Sequence, residues 1–305
     1  MRLQKKKSTR FWCLVFLLVV FLLGIAYFFN KSSSFDIDKI RPVRDFSFQT
    51  TTTDSQEEIK KFSQIVSQPF SYLTEEEDRY VFVSKDQKYV IIFFNIRKIT
   101  PKYWLNYIPI PFLDKRRLSK IADRERNRQE IFSNLKNAFT YFRYQTGLVF
   151  LHLFRTEYLQ AKIKVIDRDG KKHKIPLDLV PFAIQKKAFL LDEYIADLLA
   201  KGQKEKAVQS LCHVLTLVKD ECRQGFSGEN KAVESSFGFI EEGRPIRVDV
   251  HTLREDPSFK TPKNTLREVF LVSQAIESWL KSSHPSIAEE FEDEVQDLLS
   301  FLEDE

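Results

Sequence analysis

Only three cysteines occur in 305 residues, and no two of them form a CxxC pair. A multi-cysteine zinc site is thereby excluded, and a disulfide framework is not expected. Catalytic strings are missing as well: the chain holds no GxSxG, HExxH, P-loop or GxGxxG, which removes the usual signatures of α/β-hydrolases, zinc peptidases and glycine-rich nucleotide sites. Glycine and proline are scarce, at 8 and 11, too few for a low-complexity or collagen-like chain. Net charge is lacking too once the first 30 residues are set aside. They carry Arg2, Lys5, Lys6, Lys7 and Arg10 without an acid; of 48 Lys and Arg this leaves 43, facing 43 Asp and Glu. A neutral body speaks against a general nucleic-acid binder. What is present, 43% apolar and 13% aromatic residues, suits a folded chain with one sizeable core.

Residues 11–29, FWCLVFLLVVFLLGIAYFF, form an unbroken run of 19 without a charge. At about 1.5 Å per residue this covers a hydrocarbon core of roughly 30 Å. Phe11 and Trp12 at one end, and Tyr27, Phe28 and Phe29 at the other, suit the two interfaces, and five basic residues precede the run. The expectation is a single-pass anchor in the cell's inner membrane, amino terminus cytoplasmic, body periplasmic or otherwise extracytoplasmic. The alternative is a signal peptide cut after Ala26, since Gly24-Ile25-Ala26 offers small residues. The Phe- and Lys-rich composition fits a bacterial origin.

The rest divides into a basic tail at 1–10, a stalk at 30–68 rich in Ser, Thr, Gln and charge, a β-rich part with a long helix at 69–183, and a mainly helical part at 184–305, an α+β chain overall. In the β-rich part, Phe70 and Tyr72, then Tyr80 to Val83, then Tyr89 to Phe94 predict a three-stranded antiparallel meander with a tight turn at Lys85-Asp86-Gln87-Lys88. Leu118, Ile121, Ala122, Phe132, Leu135, Phe139 and Phe142 predict a long amphipathic helix over 115–145. A hairpin follows, 161–166 and 172–177, turned at Asp167-Arg168-Asp169-Gly170. Beyond Leu190 the pattern predicts helices at 190–201, 203–224, 264–282 and 286–302, and a short strand pair at 237–240 and 246–250. The final helix carries Glu289, Glu290, Glu292, Asp293, Glu294 and Asp297 around an apolar stripe at Ile287, Phe291 and Val295, so it should pack on the body with its acids outward.

That order, with Asp249 closing the strand Ile246-Arg247-Val248 and Ser235-Ser236-Phe237-Gly238 ahead of it, resembles the protein-kinase-like fold over about residues 69–255. The resemblance implies a two-lobed domain with a Gly-rich turn over the phosphates, a Lys on the third strand paired to a Glu on the long helix, and a metal-binding Asp after a late strand. Glu125 stands where that Glu would be and Asp249 where that Asp would be. Here, though, the first turn, Leu73-Thr74-Glu75-Glu76-Glu77-Asp78-Arg79, has four acids and no glycine. Ile92 occupies the lysine position, and Ser236 the place of a metal-binding Asn. Glu229 is the stand-in for the missing catalytic Asp. The resemblance is thus to a degenerate, pseudokinase-like member: a binding or scaffolding protein more readily than an enzyme, with no cofactor implied. An atypical phosphotransferase using Asp249 with Glu229 as base, and an unrelated α+β envelope domain, are the alternatives.

Alternation places Asp249 and His251 on one face of their strand. Cys212 and Cys222, ten residues apart on one helix, are about 15 Å apart along it and cannot bond to each other or share a metal. His152 reads as a packed core histidine. Finally, Arg116, Arg117, Lys120, Arg124 and Arg128 make the first half of the long helix basic, a surface for anionic lipid or an acidic protein partner.

Overall fold

The computed structural model describes residues 35–42, 56–76, 78–100, 114–228 and 232–303. Among these no helix is long and apolar enough to cross a membrane; the run at 11–29 lies outside the described residues, as does Glu229.

The meander forms as the alternation predicts: β1 (Phe70–Glu75), β2 (Arg79–Ser84) and β3 (Tyr89–Phe94) pair antiparallel in sequence. They are the middle of a seven-stranded sheet ordered β4-β7-β3-β2-β1-β5-β6, completed by β4 (Leu148–His152), β5 (Lys162–Ile166), β6 (Lys172–Pro176) and β7 (Phe182–Lys186). The β5–β6 hairpin turns at Asp167 to Gly170, where Gly170 has φ +78° and its N–H donates to the Asp167 carbonyl at 3.0 Å; that left-handed conformation is what glycine supplies. The hairpin joins the sheet through β1 and β5, which run parallel.

β3 is apolar on both faces because both are covered. Ile91 and Phe93 face a core with Phe70, Tyr80, Phe82, Phe150 and Phe182, while Val90, Ile92 and Phe94 face the long helix, α2 (Asp114–Tyr141). α2 packs through Ile131, Phe132, Leu135, Ala138 and Phe139; the described side chains of its first half are exposed, Leu118 included, or half-buried, as Ile121 and Arg124 are, since charge there leaves too little apolar surface to bury.

The stalk expected over 30–68 is corrected in part. Gln56–Val66 is a helix, α1, whose Phe62, Ile65 and Val66 are buried in the sheet's first core. Phe35 and Ile40, flanking the single turn Ile37–Ile40, enter the same core.

The second part follows the predicted order. β8 (Phe189–Leu190) leads into α3 (Leu191–Ala200) and α4 (Lys204–Arg223); a short β9 (Phe226–Ser227), the pair β10 (Phe237–Phe239) and β11 (Pro245–Arg247), and β12 (Arg254–Glu255) precede α5 (Pro262–Ser283) and α6 (Ala288–Glu303). Leu191, Ile195, Leu211, Leu215, Val269, Ile276 and Phe291 close a second core. α6 buries Phe291 and Val295 and turns Glu289, Glu290, Glu292, Asp293 and Glu294 outward, as its stripe requires.

Candidate functional site

The turn between β1 and β2 ends in Arg79, and β11 is followed at once by Val248, Asp249 and a 3-10 turn over Val250–Thr252. These two connections meet. Arg79 Nη2 donates to Asp249 Oδ1 at 3.0 Å, and its guanidinium also pairs with Glu76 and lies 3.8 Å from Asp78. His251 Nδ1 stands 2.7 Å from Asp249 Oδ1 and 2.8 Å from Arg79 Nη1. One ring nitrogen cannot donate to the first and accept from the second at once. The carboxylate is the stronger acceptor, so the proton lies between Nδ1 and Asp249.

Burial would push the Asp249 carboxyl up, but the His251 hydrogen bond and charge, with Arg79, outweigh it and hold the group at about 2. Burial works against the charge on Arg79, and Glu76 and Asp249 more than restore it. The 3-10 turn is pinned from both sides: Asn134 Nδ2 of α2 donates to the His251 carbonyl at 2.8 Å, and Thr252 Oγ1 to the Asp249 carbonyl at 2.8 Å. Beside it opens a small cleft of about 200 Å³ bounded by Asp78, Asn127, Glu130, Asn134, His251 and Arg254.

Asp249 and His251 do come together, but not by strand alternation. β11 ends at Arg247, and the 3-10 turn makes the approach. Ser236 lies beside Asp249 as well, its carbonyl accepting from the N–H of Val248 at 2.9 Å and of Asp249 at 3.4 Å. Ile92 is buried against α2 and supplies no cation. Glu125 pairs on its own helix with Arg128, and Gln129 Nε2 donates to it at 3.3 Å.

The pairing with Glu125 also corrects the expected basic surface. Arg128 is buried, while Arg116 and Lys120 are exposed and Arg124 is half-buried; nothing is described of the Arg117 side chain. His152 is a core histidine, Nδ1 donating to the Val180 carbonyl at 3.0 Å. Cys212 and Cys222 are free thiols, pushed by burial and nearby acids up to about 11 and about 12.

No family of proteins matches the chain, and no curated protein matches it. Among solved structures it is similar to Rv3197 of Mycobacterium tuberculosis in its complex with erythromycin, at 14% identity and a TM-score of 0.32, over 65% of this chain. The chain spans about half of that protein, 49% of its length.

Sequence reasoning did not find Arg79 or the pair beneath the site. Arg247, with β11, is fully buried and donates from Nε at 2.8 Å and Nη2 at 2.6 Å to the two carboxylate oxygens of Glu221 on α4. A charge between Ile246 and Val248, and an acid beside Cys222 on the buried stripe of α4, were the available signals. The lone arginine closing a turn of four acids was the signal for Arg79.

Proposed function

We propose that the chain is a single-pass, membrane-anchored bacterial protein whose body is a kinase-like domain that no longer transfers phosphate and serves as a binding or scaffolding module. The observation that carries this reading is the occupation of Asp249. The carboxylate that would hold a metal ion is bonded to Arg79 and His251, and Arg79 reaches it from the turn that would cover a nucleotide's phosphates. Three further features agree. That turn is acidic; Ile92 puts a methyl-bearing side chain where the phosphates would need a cation; and Val81, Val83, Val90 and Ile92 share one packed cluster with Phe226, Val250 and Leu253, so apolar side chains from both parts fill that side of the sheet. The element order (meander, long helix, helical part, late hairpin, Asp249) supports the kinase-like assignment.

The test is binding of Mg-ATP to the full chain, read as a thermal shift. No magnesium-dependent shift is expected at millimolar nucleotide. A shift that disappears in Asp249→Ala would overturn the reading and favour the phosphotransferase alternative with Glu229 as base. The anchor is tested separately: protease added to spheroplasts should remove the body. Protection of the body, or a mature chain beginning at Tyr27, would refute that part.

A further inference from the structure

The β5–β6 hairpin carries six basic residues, Lys162, Lys164, Arg168, Lys171, Lys172 and Lys174, and all six are exposed. None makes an ion pair among the described residues: of the two acids at the hairpin turn, Asp167 is turned inward onto His173 Nε2 at 2.6 Å, and Asp169 is exposed and pairs with none of the six. Lys164 and Lys174 stand directly opposite each other across the two strands. Like charges so placed repel and destabilise a hairpin. Inward, the strands are ordinary: Ile163, Val165 and Ile175 are fully buried. The outward row of lysines is therefore not a by-product of packing. β6 is also the sheet's edge strand, so this row stands at the periphery of the molecule.

A second observation, on the inward face of the hairpin, limits how far the row can stand from a bilayer. Phe35 is buried against the hairpin, its ring 5.2 Å from that of His173 on β6 and 5.1 Å from those of Tyr80 and Phe82. The apolar run ends at Phe29. Six residue steps join Phe29 to Phe35, and even fully extended they reach only about 20 Å. A segment anchored in a bilayer at 11–29 thus cannot hold the hairpin far from that bilayer. That reach is an upper limit of about two Debye lengths at 0.1 M salt; a less extended tether brings the lysines within one, where they are drawn to anionic headgroups.

We propose that the outward face of the β5–β6 hairpin, Lys162, Lys164, Lys172 and Lys174, docks on the anionic headgroup surface of the same membrane that residues 11–29 span, holding the body against the bilayer with its sheet edge down. This rests on the anchor reading above. It removes the distance a stalk would give: the body is tethered by five residues, and the hairpin lysines set its orientation.

The test uses the full chain in lipid nanodiscs, with a water-soluble amine-acylating reagent and mass spectrometry of the labelled peptides. Discs containing phosphatidylglycerol are compared with purely zwitterionic discs. Labelling of Lys162, Lys164, Lys172 and Lys174 should fall at least threefold in the anionic discs and recover in 0.5 M salt, while Lys206 and Lys263, exposed on the helical part, stay constant. Co-migration of chain and disc is read in the same preparation. A chain that does not co-migrate refutes the anchor and the docking together. Co-migration with equal labelling of all six lysines leaves the anchor standing and refutes the docking. Protection that is equal in zwitterionic discs and lost on dilution also refutes it, assigning the face to the acidic α6 of another copy. As a second measurement, the Lys164→Gln/Lys174→Gln variant, which relieves the like-charge pair, should keep or raise its melting temperature while losing protection at Lys162 and Lys172.

Discussion

The Asp249 carboxylate is held by Arg79 from the turn between β1 and β2 and by His251 from the 3-10 turn that follows it. A carboxylate after a late strand announces itself in the sequence; its partners do not, because Arg79 is 170 positions away and reaches it only through the fold. The Asp249 carboxyl sits at about 2, against an ordinary value of 3.8. Its folded value is lowered, so it contributes stability that is present above about pH 4 and is lost as the pH falls toward 2. The shift corresponds to about 2 kcal/mol. Asp249→Asn should therefore destabilise the chain by about that amount at pH 7 in urea denaturation, and the gap to the parent should close by roughly half at pH 3. A gap that is constant with pH would show that the loss is steric. The pair Glu221–Arg247 obeys a harsher rule, since both side chains are buried. Removing one leaves an uncompensated charge, so Glu221→Ala should cost about 3–5 kcal/mol. Gly228 bears on the same pair: a Cβ there would lie 2.4 Å from Arg247 Nη1. Gly228→Ala should force the guanidinium off Glu221 and lower the melting temperature, and Glu221→Leu/Arg247→Met should remove that sensitivity to position 228.

Elements were legible where one face is wet. The β5–β6 hairpin and α3 to α6 alternate or repeat against solvent, and their bounds come out within a few residues. β4 and β7 did not, although β7 stands between β3 and β4. Leu148 to His152 and Phe182 to Lys186 are short apolar runs covered on both faces, and periodicity cannot type such runs. β7 also runs through the position 183/184 at which composition divides the chain into two parts. α1 was hidden for the opposite reason. Its three buried residues, Phe62, Ile65 and Val66, sit among polar neighbours whose composition reads as a spacer. The ring of Phe62 stacks on that of Phe150 at 4.4 Å and lies 6.0 Å from that of Phe182, so it plugs one face of the sheet. Phe62→Ala should cost about 3–5 kcal/mol in chemical denaturation. A loss below 1 kcal/mol would return α1 to the status of a spacer.

At the scale of the molecule, each of the two parts named from composition has a core of its own, and a third cluster is shared between them. Phe226, Val250 and Leu253 belong to the second part in sequence, yet they pack with Val81, Ile92, Phe132 and Phe142 in the cluster between sheet and α2. Phe226 meets Phe142 edge to face, ring centres 4.7 Å apart, and Asn134 of α2 is bonded to the turn that carries Asp249. The apolar filling between the sheet and α2 thus joins the parts, and their cooperativity rests on it. Two parts that share buried apolar surface should unfold together. Cys222 offers the reporter for the helical part: it is fully buried on α4, and its thiol, pushed by burial up to about 12, is shielded from maleimide until that part opens. Amide exchange in β3 reports the sheet. Across a urea series, the midpoint for labelling of the Cys222 peptide and the midpoint for β3 exchange should coincide in the parent, and Leu253→Ala should lower both by the same amount. Midpoints that separate in the parent, or a Leu253→Ala variant that shifts one and leaves the other, would mean that the lobes move independently and that the cleft between them can open.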